Sequence, residues 1–147
     1  MATVVSGTTP KHLWVVGGLS LLCNAFGAFD YTMTELGSAA YLESMGFGPA
    51  ELAYLEAFPA WAIAAWAVGV WSSVAGSILL LMRSRHAAPV FVLSIAGALV
   101  SFVYQYTADK PASLANGLPL VIPVVILILI VAQWYYARRM AAAGVLR

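Results

Sequence analysis

Four apolar, nearly uncharged stretches, each about as long as a bilayer is thick, govern what this chain can become. They run from Leu13 to Thr34, Ala60 to Met82, Ala87 to Tyr106 and Leu118 to Ala137. A helix rises about 1.5 Å per residue, so about 20 residues cross a hydrocarbon core about 30 Å thick. Backbone amides find no water in lipid, and each one left unpaired costs several kcal/mol, so helix is expected throughout each stretch. Pro119 and Pro123 fall in the first two turns of the last stretch, where a missing donor is tolerated. The expected fold is all-α: a polytopic four-helix transmembrane domain occupying residues 1–147. Composition agrees, with 63% hydrophobic and 9% charged residues against about 25% charged in a soluble domain.

Charge sets the orientation. Lys11 precedes the first span, Arg83 and Arg85 separate the second and third, and Arg138, Arg139 and Arg147 follow the fourth. Asp30, Glu35, Glu43, Glu51, Glu56 and Asp109 all fall toward the other side, with Lys110 as its only base. By the positive-inside rule both termini are expected in the cytoplasm of a bacterial inner membrane. Trp134, Tyr135 and Tyr136 then mark the inner boundary, and Phe58, Trp61, Tyr104 and Tyr106 the outer one. Lys11 followed by Leu13–Leu22 also has the outline of a signal peptide, with Ala25-Phe26-Gly27 as a cleavage site. The apolar run continues through Phe26 and Phe29, so the segment is expected to stay as a full span. Leu22 is too large to precede a lipoprotein cysteine at Cys23.

At 100° per residue the first span separates into two faces. Gly17, Ser20, Cys23, Asn24, Gly27, Asp30, Tyr31 and Thr34 share one sector, and Trp14, Leu22, Phe26, Phe29 and Met33 the other. In the second span Ala62, Ala65, Gly69, Ser72, Ser73 and Gly76 form a stripe of small residues. The third offers Ser94, Gly97, Ser101, Tyr104 and Gln105, whereas the fourth has no polar residue between Leu118 and Ala132. Helices in lipid associate through close contact and interhelical hydrogen bonds, so Gly27, Gly69, Ser73, Gly76, Gly97 and Ser101 are the expected packing positions. Spans one to three are expected around a shared interior, with span four on the rim and Gln133 reaching headgroups or water.

The outer segment 35–59 is too long for a simple turn. Gly48-Pro49 followed by Ala50–Glu56 predicts a short amphipathic helix, with proline in its first turn and Glu51 at its positive end. Leu52, Tyr54 and Leu55 would rest it on the membrane surface.

Asp30 is the residue to which chemistry most naturally attaches. It lies roughly 26 Å from the cytoplasmic end, at the outer edge of the hydrocarbon. The plainer reading is an interfacial carboxylate hydrogen-bonded by Tyr104 or Gln105. The functional reading is a protonatable coupling group with Asn24, Tyr31, Tyr104 and Gln105 as neighbours. Asn24, near mid-membrane, suits an interhelical hydrogen bond worth about 1 kcal/mol. Cys23 is the only cysteine, which excludes an intrachain disulfide and a thiolate metal cage. His12 and His86 lie at the cytoplasmic boundary while the carboxylates lie outside, so neither a haem nor a zinc site is expected. No cofactor is expected, nucleic acid does not suit a net charge of +1 without a basic cluster, and an enzyme ranks last.

The runs LWVVGGLSLLCNAFGAFDYTMT, FPAWAIAAWAVGVW and GSILLLMRSRHAAPVFVLSIAG resemble a largely uncharacterised group of small four-span proteobacterial inner-membrane proteins, sometimes labelled sugar transporters. The likeness covers about residues 13 to 106 and is most distinctive from Asn24 to Thr34. It implies the same topology and membrane, and no defined reaction. Two functions follow as expectations. One is a small-solute transporter or permeation protein, proton-coupled through Asp30, and a homo-oligomer because a tight small-residue interior leaves little room for a path. The other is an accessory or assembly subunit docked in a larger membrane complex.

Overall fold

The computed structural model describes residues 8–147, and every regular element among them is a helix. Four are long and apolar enough to cross a membrane: α1 (Lys11–Glu35), α4 (Ala60–Leu81), α5 (Ala87–Thr107) and α6 (Leu118–Ala142). The fold is that of a multi-pass membrane protein. Two short helices, α2 (Ala39–Ser44) and α3 (Pro49–Glu56), lie between the first two spans. The sequence anticipates α3, and the structure adds a bond from the Gly48 N–H to the Glu51 carboxylate at 2.9 Å. It does not anticipate α2, whose six residues carry no clear periodic signal. Helices α1, α5 and α6 outrun the apolar stretches, α6 by a full turn, because Arg138 to Ala142 form good helix in water as well as in lipid.

The spans pack in the order α1, α4, α5, α6, with the most extensive interface between α4 and α5. Glycine makes that interface possible. A Cβ on Gly97 would stand 2.6 Å from the Gly69 nitrogen and 2.7 Å from the Ala65 carbonyl oxygen, so the two backbones touch. Across the contact the buried Ser94 hydroxyl donates to the Gly69 carbonyl at 2.6 Å. Gly76 leaves room for the Phe91 ring, and Gly17 on α1 for Leu81. By contrast α1 and α6 make no extensive backbone approach and meet through side chains.

Packing differs between the two ends. Leu13, Leu80, Ala87, Phe91, Ile130, Ala137 and Leu146 form a buried cluster where α1 begins and α6 ends. The chain after α6 turns back to the α4–α5 connection. There the Arg147 N–H donates to the Arg83 carbonyl at 2.7 Å, and the Arg85 N–H to the Arg147 carbonyl at 2.9 Å. Arg83 itself holds φ 59°, the left-handed position that closes α4 and that Gly144 fills after α6. Its guanidinium donates to the Thr9 hydroxyl at 2.5 Å. Thr9, Arg83 and Arg147 thus stand at one end of the bundle. The opposite end carries α2, α3 and an aromatic layer: Phe58 and Tyr104 at 4.7 Å, Trp61 and Tyr104 at 5.6 Å, and Tyr54 and Phe58 at 5.2 Å. Leu22, Phe26, Val103 and Ile128 are each more than 60% exposed, as side chains facing lipid should be.

Candidate functional site

Asn24 and Asp30 are six residues apart on α1, about 9 Å along the axis, and both border one cavity of about 250 Å³. Its walls come from all four spans, chiefly from the mouth left where α1 and α6 diverge. Phe26, Trp66, Val70, Phe102, Ile126, Leu129 and Ile130 make most of the lining apolar, and Gly27 and Gly69 keep it open. Among the described residues, Asp30 is the one charged side chain in that lining. A second cavity of about 190 Å³ lies toward α3 and the α5–α6 connection, lined by Tyr54, Phe58, Gln105, Lys110 and Leu114 among others. Asp30 and Trp66 border both spaces and form the boundary between them.

One side of the main cavity ends in a polar knot. The Asn24 amide donates to the Gln133 Oε1 and the Ser77 hydroxyl, each at 2.8 Å, and reaches the Ser73 carbonyl at 3.1 Å. An NH₂ group has two hydrogens, so the Ser73 carbonyl takes only a share, and the Ser77 hydroxyl supplies it fully at 2.9 Å. This knot ties α1 to α4 and α6. Three turns nearer the basic end, His12 Nδ1 and the Tyr136 hydroxyl are hydrogen-bonded at 2.5 Å, with their rings edge to face. Two polar contacts therefore hold α1 to α6 where their backbones do not meet.

Asp30 is held from the other direction. The Tyr41 hydroxyl on α2 donates to its Oδ1 at 2.5 Å, and the Tyr41 ring packs edge-on against Phe29. Burial, this hydrogen bond and the negative charge beside it push the Tyr41 phenol up to about 12. Trp66 stacks edge-on with Tyr31 at 5.0 Å and lies 6.4 Å from Phe58, which fixes the indole at the boundary. Outside the spans, Glu51 is drawn below the usual carboxylate range by the Ser113 hydroxyl and by backbone N–H donors. That contact fastens α3 to the α5–α6 connection. The Tyr54 phenol is raised by burial and by Tyr104 nearby.

The residues singled out from sequence do not form one network. Asp30 bonds Tyr41, where Tyr104 or Gln105 was expected, because α2 folds back over the end of α1. Tyr104 donates to the Ala57 carbonyl at 3.1 Å and secures α3, while Gln105 donates to Ser101 on its own helix at 3.2 Å. Gln133 corrects a second expectation: it is only 8% exposed and accepts from Asn24 in place of headgroups or water. Span four is thus a wall of the cavity as well as the rim. Cys23 is exposed and borders the cavity. A tight interior was expected, yet a cavity of about 250 Å³ lies between the spans of a single chain. Of the packing positions, Gly69, Ser73, Gly76, Gly97 and Ser101 are buried between helices. Gly27 faces the cavity, its nearest neighbour being Val70 at 3.8 Å from an ideal Cβ. Ser77, Trp66 and Tyr41 escaped the sequence reading. The spacing Ser73-x-x-x-Ser77 in line with Gly69 pointed to the first, whereas nothing in sequence marks Tyr41.

No protein-family profile, curated protein or solved structure matches this chain.

Proposed function

We propose that the chain is a small-solute permeation or transport protein, with the α1–α6 cavity as its binding site and Asp30 as the group that couples a proton or cation to it. The carrying observation is that Asp30 and Trp66 border both cavities, set against the polar closure by Asn24, Gln133, His12 and Tyr136 at the other end. A site reached from one side and sealed on the other is the arrangement alternating access needs. An accessory subunit would have no use for such a space, so that reading ranks second. The proposed setting is a bacterial inner membrane with both termini cytoplasmic. Clustering of Lys11, Arg83, Arg85, Arg138, Arg139 and Arg147 at one end supports this through the positive-inside rule. Binding needs no second copy of the chain, although a homo-oligomer in the membrane is compatible with it.

The test is osmotic swelling of liposomes containing the purified chain, with a panel of small polyols, amides and alkylamines. Swelling faster than in protein-free liposomes for at least one solute, and its loss in Ile126→Trp, is the expected result. Rates equal to protein-free liposomes for every solute, together with foreign chains recovered in fixed stoichiometry after gentle solubilisation, would replace it with the accessory-subunit reading.

A further inference from the structure

The lining of the main cavity restricts the kind of molecule it accepts. Its volume of about 250 Å³ equals about eight waters at ~30 Å³ each, just below the usual range of ligand pockets. That suits a single ring or a short branched chain. A sugar of that size would bury several hydroxyls, each penalised without a partner. The polar side chains present are largely spent: Asn24 on Ser77 and Gln133, the Ser73 hydroxyl on the Val70 carbonyl, and Ser101 as acceptor from Gln105. An apolar body fits these walls better than a polyhydroxylated one.

Charge points further. Among the described residues, the lining holds one carboxylate and no Lys, Arg or His. Tyr41 engages Oδ1 of Asp30, and a carboxylate has a second oxygen with which to accept. In the outer cavity Lys110 is the one base, and its ammonium lies 5.0 Å over the Tyr106 ring. Trp66 stands beside Asp30 at the boundary, and an indole face attracts a cation that the carboxylate already favours. Building on the transport reading above, we infer that the cavity binds a small lipophilic organic cation. Its apolar body lies between α1 and α6, and its amine or quaternary ammonium meets Asp30 and Trp66.

Calorimetric titration of the detergent-purified full chain with benzyltrimethylammonium tests this, alongside benzyl alcohol and glucose. The cation is expected to bind at least about tenfold more tightly than either neutral compound. Asp30→Asn should weaken it by about tenfold or more, Asp30→Glu by much less, and Ile126→Trp should abolish binding by filling the space. Equal binding of benzyl alcohol or glucose to the unaltered chain, or no binding of the cation, overturns the inference even if Asp30→Asn fails to fold. Unchanged affinity in a folded Asp30→Asn variant overturns it as well. Cation binding without liposome flux of any solute would keep this assignment and remove the transport reading. Flux of neutral solutes blocked by Ile126→Trp, without cation binding, would do the reverse.

Discussion

Replacing Gly97 with alanine adds one methyl group where there is no space for it. The new Cβ would stand 2.6 Å from the Gly69 nitrogen, 2.7 Å from the Ala65 carbonyl oxygen and 3.0 Å from the Gly69 Cα. All three are backbone atoms of α4, so no side chain can swing aside. Ordinary contact begins near 3.4 Å, and reaching it means moving α5 away from α4 by most of an ångström. Overpacking of that kind costs about 1–3 kcal/mol. The shift also stretches the Ser94 hydroxyl's bond to the Gly69 carbonyl, now 2.6 Å, which adds about 1 kcal/mol if it breaks. A total of about 2–4 kcal/mol is a large share of a stability of about 5–15 kcal/mol. Two controls carry the same methyl without the clash. Gly18 has nothing within 4 Å of an ideal Cβ, and Gly27 meets Val70 only at 3.8 Å. Alanine at either is expected to be neutral or stabilising by up to about 1 kcal/mol, since glycine is the poorer helix former. Unfolding of the three variants in mixed micelles, followed by tryptophan fluorescence and circular dichroism, gives the comparison. A Gly97→Ala variant within about 0.5 kcal/mol of Gly18→Ala would refute the claim that backbone contact holds α4 to α5.

Three further outcomes are expected. A double-mutant cycle on Asn24→Leu and Gln133→Leu should return a coupling of about 0.6–2 kcal/mol, and a value near zero would mean that the knot does not join α1 to α6. In alkaline titration followed by tyrosinate absorbance, Tyr41 should ionise last. Because folding raises its phenol from 10.0 to about 12, the associated stability is complete below pH 10.0 and is lost as pH rises through about 12. Tyr41→Phe should delete that highest step and the loss of stability with it; retention of both would assign them elsewhere. Cys23, the only cysteine, is exposed and borders the cavity, and a water-borne reagent modifies a thiol only where water reaches it. A membrane-impermeant methanethiosulfonate added from the acidic side should therefore modify the native chain, as read by intact mass, and Ile126→Trp should protect it. No modification of membrane-embedded protein, with full reaction after unfolding, would mean that lipid and not water fills the space.

Sequence reveals most of the frame because lipid imposes it. The four spans, the short α3 and the separation of basic from acidic residues are consequences of desolvating backbone and charge, which one-dimensional periodicity records. The close approach of α4 and α5 is legible for the same reason: Gly69, Gly76 and Gly97 have no role on a lipid face that a larger residue would not fill better. The site is less legible. Tyr41 reaches Asp30 only because α2 folds back on α1, a tertiary event without a local pattern. Gln133 looks like a boundary residue because it stands close to Trp134 and Arg138, yet α6 extends to Ala142 and carries that turn inward. The cavity itself is space left where α1 and α6 do not pack backbone to backbone. Asp30 is conspicuous, but Trp66 is one of five tryptophans, and nothing in their spacing along the chain shows that they share a boundary.

The uneven packing of the bundle decides how far the transport reading can be pressed. At the basic end the side chains of Leu13, Leu80, Phe91 and Leu146 exclude solvent, and Arg147 is hydrogen-bonded to the α4–α5 turn. Opening that end by separating all four helices would sacrifice the whole cluster, far more than thermal energy supplies. Separating α1 from α6 alone is different. Their backbones are already apart; α1 contributes one core residue, Leu13, to that cluster, and its other principal ties to α6 are Asn24 to Gln133 and His12 to Tyr136. Interhelical hydrogen bonds in membranes are worth about 0.6–2 kcal/mol each, so releasing two costs roughly 1–4 kcal/mol. An alternate state at that height is populated at about 0.1–10%, enough to serve as the second state of a transport cycle. A cation neutralising Asp30 acts about 9 Å along the same helix that carries Asn24, so α1 is the one element that both events bias. The hinge must therefore open the α1–α6 seam while the α1–α4 and α4–α5 interfaces, the two most extensive in the bundle, stay closed. A bifunctional thiol cross-link between cysteines placed at His12 and Tyr136, whose side chains meet across the seam, in a background where Cys23 is serine, should hold the seam closed, stopping flux while leaving cation binding intact. Undiminished flux in that cross-linked chain would refute the hinge.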